Sequence, residues 1–164
     1  MKKTAIFYGS TSGTAEDIAK KIGTTLGADT FDVADSPLDE VANYENLIIG
    51  SSTTGIGDLQ EDWEDFVTDF EEADLNGKTI AIFGVGNGVS FSDSFVGCME
   101  KLYDAVKDKG CKIVGFTDTE GYEYDDSPSI VDGKFVGLPI DEDNQDELTD
   151  ERIEKWVEIL KPHL

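Results

Sequence analysis

An α/β fold, with a parallel sheet covered by helices on both faces, is predicted by three observations. Short ungapped apolar runs such as Ala5–Tyr8, Leu47–Ile49 and Thr79–Phe83 read as strands buried on both sides. Elsewhere apolar residues recur at spacings of three and four, the stripe of an amphipathic helix. The two patterns alternate along the chain, which marks βαβ units rather than segregated strands and helices.

The first strand, Ala5–Tyr8, passes through a short turn into a helix marked by Ala15, Ile18, Ala19, Ile22 and Leu26. Phe31–Val33 is a weaker second strand. Val41-Ala42 and Leu47-Ile48-Ile49 flank a third, which ends at Gly50. Trp63, Phe66, Val67 and Phe70 form the next helical face. The strand Thr79–Phe83 stops at Gly84. A further helix carries Phe95, Met99, Leu102 and Val106, enters at Ser92-Asp93 and stops at Gly110. Ile113–Phe116 is the next strand. The last helix carries Ile153, Trp156, Val157 and Leu160, starts near Thr149 and ends before Pro162. One acidic segment rich in Gly, Pro and Tyr, about 117–140 and running on to 147, breaks the rhythm. It is expected to be an inserted loop between the last strand and the last helix. A short strand at Lys134–Leu138 would resume the sheet edge. With no repeat, all 164 residues are expected to form one domain.

The formal charge of −23 repels nucleic acid and anionic membrane surfaces and favours basic partners. Apolar residues at 38% and aromatics at 10% are enough for a folded core. Cys98 and Cys111 lie far apart and read as buried thiols rather than a redox pair. The run after Met1-Lys2-Lys3 is too short for a leader or a membrane span, so the cytoplasm is expected. The single histidine, His163, has no partner for nucleophilic catalysis, and no His/Cys cluster has metal spacing.

In such sheets the ligand sits beyond the carboxyl ends of the strands, where the strand order reverses. Three loops leave that rim: "GSTSGTA" at 9–15, "GSSTTGIGDLQ" at 50–60 and "GVGNGVSFSD" at 84–93. The first joins a strand to a helix, whose opening N–H groups lack backbone partners and carry partial positive charge. Ser10, Thr11, Ser12 and Thr14 around Gly9 and Gly13 suit a phosphate there, although such residues also cap helices. There is no Walker lysine and no G-x-G-x-x-G.

With these three loops in place the chain resembles the flavodoxins, over essentially its whole length and through "FVGLPIDEDNQDELTDERIEKWV". The inserted segment resembles the long-chain branch. The resemblance implies a flavodoxin-like three-layer sandwich with a five-stranded parallel sheet in the order 2-1-3-4-5; flavodoxin is itself a reference case of the switch-point rule, with FMN bound there. It implies a low-potential one-electron carrier working between semiquinone and hydroquinone. Redox proteins with basic docking surfaces, such as ferredoxin/flavodoxin-NADP reductase, would be its partners, and the carrier is expected to be a monomer.

Residue by residue, the resemblance places the FMN phosphate on Ser10, Thr11, Ser12, Gly13 and Thr14, with Ala15 where the family motif ends in Thr. Thr54 stands where many members stack Trp on the inner flavin face, and Phe91 where Tyr covers the outer face. Gly55-Ile56 matches the peptide that turns over on reduction. Asn87 matches the contact to the pyrimidine edge, and Thr53 and Asp143 lie beside the ribityl chain. Gly84 opens the third loop. Two other readings stay open. One is a quinone reductase of this fold, an enzyme. The other is an interaction module that has lost FMN, motivated by Thr54 and Ala15. A response regulator is disfavoured, since "AIFYGS" lacks paired acids after the first strand.

Overall fold

The computed structural model describes residues 3–164. Its main elements are β1 (Thr4–Gly9), α1 (Thr14–Leu26), β2 (Asp29–Asp32), β3 (Asn46–Thr54), β4 (Asp58–Leu59), α2 (Glu61–Glu72), β5 (Thr79–Val85) and α3 (Gly97–Val106). They continue with β6 (Lys112–Val114), β7 (Thr117–Asp118), β8 (Ile130–Val131), β9 (Lys134–Phe135), β10 (Leu138–Ile140), α4 (Glu142–Gln145) and α5 (Thr149–Leu160).

Parallel pairing runs β2-β1-β3-β5, and the far edge of β5 is shared by two short strands. β6 pairs with Thr79–Ala81, and β10 pairs with Phe83–Val85. Together they form the fifth strand, so the order 2-1-3-4-5 holds for the five main strands. The strand order reverses at β1, whose neighbours are β2 and β3.

Side chains alternate across the sheet. Phe7, Leu47, Ile49, Ile80 and Ile82 pack under α2 and α3 with Trp63, Phe70 and Leu102. Ile6, Ile48, Ala81 and Phe83 pack under α1 and α5 with Ile18, Ile22, Trp156 and Leu160. Both faces are thus dry, which explains the ungapped apolar runs.

Several elements differ from the sequence reading. Val41-Ala42 is not strand; it lies in a 3-10 turn, Leu38–Asn43, before β3. β3 runs past Gly50 to Thr54, because Ser51 and Ser52 pair with Gly84 and Val85 and Thr53-Thr54 fold back onto β4. β2 ends at Asp32, and Val33 opens a 3-10 turn. Phe95 is buried but precedes α3, whose N-cap is Val96 in the left-handed region at φ 47. β6 stops at Val114, since Gly115 turns at φ +84.

The inserted segment also differs. It lies within the fifth strand rather than after it, and it folds as its own antiparallel sheet in the order β7-β9-β8. Lys134–Leu138 is therefore two elements. Lys134-Phe135 belongs to the small sheet, and the main edge resumes only at Leu138. The insertion is bound to the third rim loop and to the start of α3 at many points. Ser127 Oγ donates to Phe95 O at 2.6 Å, and Ser129 Oγ donates to Val96 O at 2.8 Å. Ser129 Oγ also accepts Glu100 N–H at 2.9 Å, and Asp125 and Asp126 N–H donate to Ser92 O. A positive φ at β-branched Val96 is a strained conformation that needs such support.

Candidate functional site

The three rim loops converge on a cleft of about 200 Å³ at the carboxyl ends of β3 and β5. Ser12 and Thr14 line it from the first loop, Ser52 and Thr53 from the second, and Asn87 and Phe91 from the third; Glu142 and Asp143 close one side. A more open groove of about 640 Å³ runs between α1 and α5. The smaller cleft is the better candidate, because the groove's Lys21 is already paired with Asp150 at 2.9 Å, whereas the cleft holds polar groups without partners.

In the first loop the hydroxyls divide into two sets. Ser10 Oγ accepts Gly13 N–H at 3.1 Å, and Thr11 Oγ1 accepts from Gln60 Nε2 at 3.0 Å. Both shape the loop. Gly9 has to be glycine because a Cβ there would lie 2.5 Å from Gln60 and Trp63. The N-cap of α1 is Gly13, at φ +96, and no side chain caps the helix. The capping explanation for the Ser/Thr cluster therefore fails. Among the described residues the Ser12 and Thr14 hydroxyls have no hydrogen-bond partner; they line the cleft beside the first N–H groups of α1, which no side chain caps. Ala15 is buried in the core beneath α1, where only its backbone N–H can serve the site.

In the second loop Thr53 lines the cleft, and its Oγ1 donates to Cys98 Sγ at 3.1 Å. Burial pushes that thiol up to about 12, so it stays protonated. Thr54 lies outside the cleft lining, with its Oγ1 donating to Leu59 O at 2.8 Å. Gly55, at φ +51, and Ile56, 82% exposed, form the tip of the β3–β4 hairpin.

In the third loop Asn87 is heavily engaged. Its Oδ1 accepts from Val89 N–H, Ser90 N–H and Asn144 Nδ2, and Nδ2 donates to Asp143 Oδ2 at 3.4 Å. Only its NH₂ group remains available to a ligand. The buried Asp141 carboxylate accepts Gly88 N–H at 3.0 Å and Asn144 N–H at 3.1 Å, tying the loop to the end of β10. Phe91 is 48% exposed at the cleft mouth, an available aromatic face. Gly84 faces α3 rather than the cleft; a Cβ there would meet Met99 at 2.5 Å.

The cleft therefore joins Ser12, Thr14, Thr53, Asn87, Phe91 and Asp143 of the expected residues. Ser10, Thr11, Gly13 and Ala15 shape its anion end, Gly55-Ile56 forms the adjacent hairpin tip, and Thr54 and Gly84 are packed elsewhere. Ser52 is the addition: its Oγ is enclosed and has no partner among the described residues. Its position in a hydroxyl run gives no sign of this, because burial of one hydroxyl and not its neighbours is a tertiary property.

These features define a doubly wound α/β domain whose switch-point cleft combines hydroxyls at a helix N-terminus with an exposed aromatic face. The family model described as Flavodoxin matches residues 6–156. A Helicobacter pylori flavodoxin is 46% identical over 162 residues, 98% of each chain. A Synechocystis flavodoxin is 42% identical over 168 residues, covering 100% of this chain and 99% of its own. The crystal structure of a Fusobacterium nucleatum flavodoxin bound to flavin mononucleotide superposes with a TM-score of 0.95 at 38% identity, covering 100% of this chain and 99% of that one. The chain belongs to the flavodoxin family.

Proposed function

We propose that the protein is a low-potential electron carrier that binds FMN in this cleft and passes single electrons between redox proteins. It is an electron-transfer protein and not an enzyme. The observation that carries the reading is the uncapped N-terminus of α1, facing two free hydroxyls at the switch point of a flavodoxin chain.

The residues fit the cofactor. Ser12 and Thr14 hydroxyls and the first N–H groups of α1 would hold the phosphate without a lysine or arginine in the loop. Phe91 would cover the outer ring face, contributing about 0.5–1.5 kcal/mol beyond area burial. Thr53 and Asp143, both on the cleft lining, would flank the ribityl chain, and the Asn87 NH₂ would be the donor left for the ring edge. Thr54 brings no ring to the inner face, which leaves that side to smaller groups. Gly55 sits at the hairpin tip, where the Gly55–Ile56 peptide can rotate at small steric cost. When bound, FMN supplies reversible one-electron chemistry. The protein's charge of −23 makes each added negative charge in the cleft costly, which lowers the potential.

The same charge suits partners with basic docking surfaces, of the ferredoxin/flavodoxin-NADP reductase kind. We read residues 1–164 as one FMN-binding domain, acting as a monomer in the cytoplasm. The two free thiols suit a reducing compartment. No helix among the described residues is long and apolar enough to cross a membrane.

The test is FMN titration of the purified protein followed by stepwise reduction. Stoichiometric binding and two separate one-electron steps are expected. A single two-electron step would overturn the carrier reading, and absence of binding would favour a module that has lost the cofactor.

A further inference from the structure

Residues 51–54 are a run of hydroxyl side chains, Ser51-Ser52-Thr53-Thr54, at the end of β3. All but one are used by the fold. Ser51 Oγ accepts Gln60 N–H at 3.0 Å and donates to Ser52 O at 2.7 Å. Thr53 donates to Cys98 Sγ and Thr54 to Leu59 O. The exception is Ser52 Oγ, which is enclosed and has no partner among the described residues. Buried hydroxyls are nearly always hydrogen-bonded, so an orphan needs a reason. Three other enclosed side-chain atoms share this state, Asn46 Oδ1, Gln145 Oε1 and Thr149 Oγ1, but none of those residues lines the cleft.

Ser52 does line it. Strand alternation places it on the same face as Ile48 and Gly50, toward α1 and α5, and it pairs with Val85 of β5. It therefore lies on the strand floor of the cleft. The phosphate end, Ser12 and Thr14, is on one side, and the ring end, Asn87 and Phe91, is on the other. The part of FMN that spans those ends is the ribityl chain, a row of hydroxyls able to accept from a serine.

We propose that Ser52 is a cofactor ligand of this chain, its Oγ–H donating to a ribityl hydroxyl. This rests on the FMN reading above. In the apoprotein the hydroxyl is a desolvated group without compensation, and in the holoprotein it is satisfied. Removing it should therefore act with opposite signs on the two states.

The experiment is Ser52→Ala, measured by thermal unfolding of the apoprotein and by fluorescence titration with FMN and with riboflavin. Apoprotein Tm should be unchanged or raised by roughly 1–4 °C. Affinity for both flavins should fall by roughly two- to tenfold, because both carry the ribityl chain. Unchanged affinity for both overturns the proposal. So does a loss confined to FMN, which would put the hydroxyl on the phosphate, or a loss accompanied by a lower apoprotein Tm, which would mark a structural serine. Failure of the wild-type protein to bind FMN would defeat the carrier reading first, and this assignment with it.

Discussion

The first and third rim loops face the same cleft but are built in opposite ways. Among the described residues the first, 9–15, leaves the Ser12 and Thr14 hydroxyls without partners beside a helix that no side chain caps. The third, 84–93, is satisfied almost entirely by the protein. Asn87 closes its turn, Asp141 holds Gly88 N–H, and the insertion's backbone holds Ser92 O. One loop is left open for a ligand to complete. The other is a preset wall, so changes in it should cost stability and changes in the first should cost binding.

The glycines at the two loops should break apart most widely. A Cβ at Gly88 would lie 2.0 Å from Glu123 O, in the backbone of the insertion, whereas a Cβ at Gly13 meets nothing within 4 Å. Gly88→Ala should cost roughly 3 kcal/mol or more, lowering Tm by about 6–12 °C. Gly13→Ala carries only the strain of its φ of +96, about 1–2 kcal/mol. Equal Tm losses in thermal unfolding would show that the third loop is not held by the insertion.

Next comes Ser129→Ala. The hydroxyl is fully buried, and its loss strands Glu100 N–H at the start of α3 and removes the bond to Val96 O. A cost of about 1–3 kcal/mol is expected. FMN affinity should fall with it, since Val96 lines the cleft. A stable variant with unchanged affinity would separate the insertion from the site.

The same brace carries a pH signature. Burial pushes Tyr122 up to about 12 from its ordinary 10, partly offset by Arg152, whose guanidinium lies 3.9 Å from the ring centroid. Its hydroxyl donates to Pro139 O at 2.8 Å, a bond that the phenolate cannot make. A raised pKa means that the contribution is whole below pH 10 and lost as pH rises towards 12. Denaturant unfolding across that window should show a fall that is shallower in Tyr122→Phe. Identical profiles would mean that other groups, such as Tyr44 beside Asp29, dominate.

Much of this was legible in the sequence because apolar periodicity reports burial, and both faces of the sheet are buried. Ile6, Ile48 and Phe83 on one face and Phe7, Ile49 and Ile82 on the other follow from ungapped runs. The anion end was legible through glycine and hydroxyl spacing. Which hydroxyls are free was not. Ser10 and Ser12 look alike in sequence, and only Gly13 N–H separates them. The split fifth strand was hidden too, because its halves are short and the intervening strands β8 and β9 are equally apolar. Pairing across the 23 residues between Val114 and Leu138 is set by tertiary register, such as Thr117 Oγ1 on Gly137 O, and not by local pattern.

The smallest change in stability, and the sharpest test of the contrast, belongs to the first loop. The Ser12 and Thr14 hydroxyls make no hydrogen bond within the described residues, so Ser12→Ala and Thr14→Val should each move apoprotein stability by under about 0.5 kcal/mol. Each should weaken FMN by roughly two- to tenfold while leaving riboflavin untouched, because only FMN carries the phosphate. This set of responses differs from that of Ser52, where both flavins weaken together. Repulsion between a −23 protein and a dianionic ligand adds a further sign: rising salt should tighten FMN binding more than riboflavin binding. A salt-independent FMN affinity would mean that the helix N-terminus already neutralises the phosphate locally. Binding would then be governed by the loop's own dipoles rather than by the acidic surface around it.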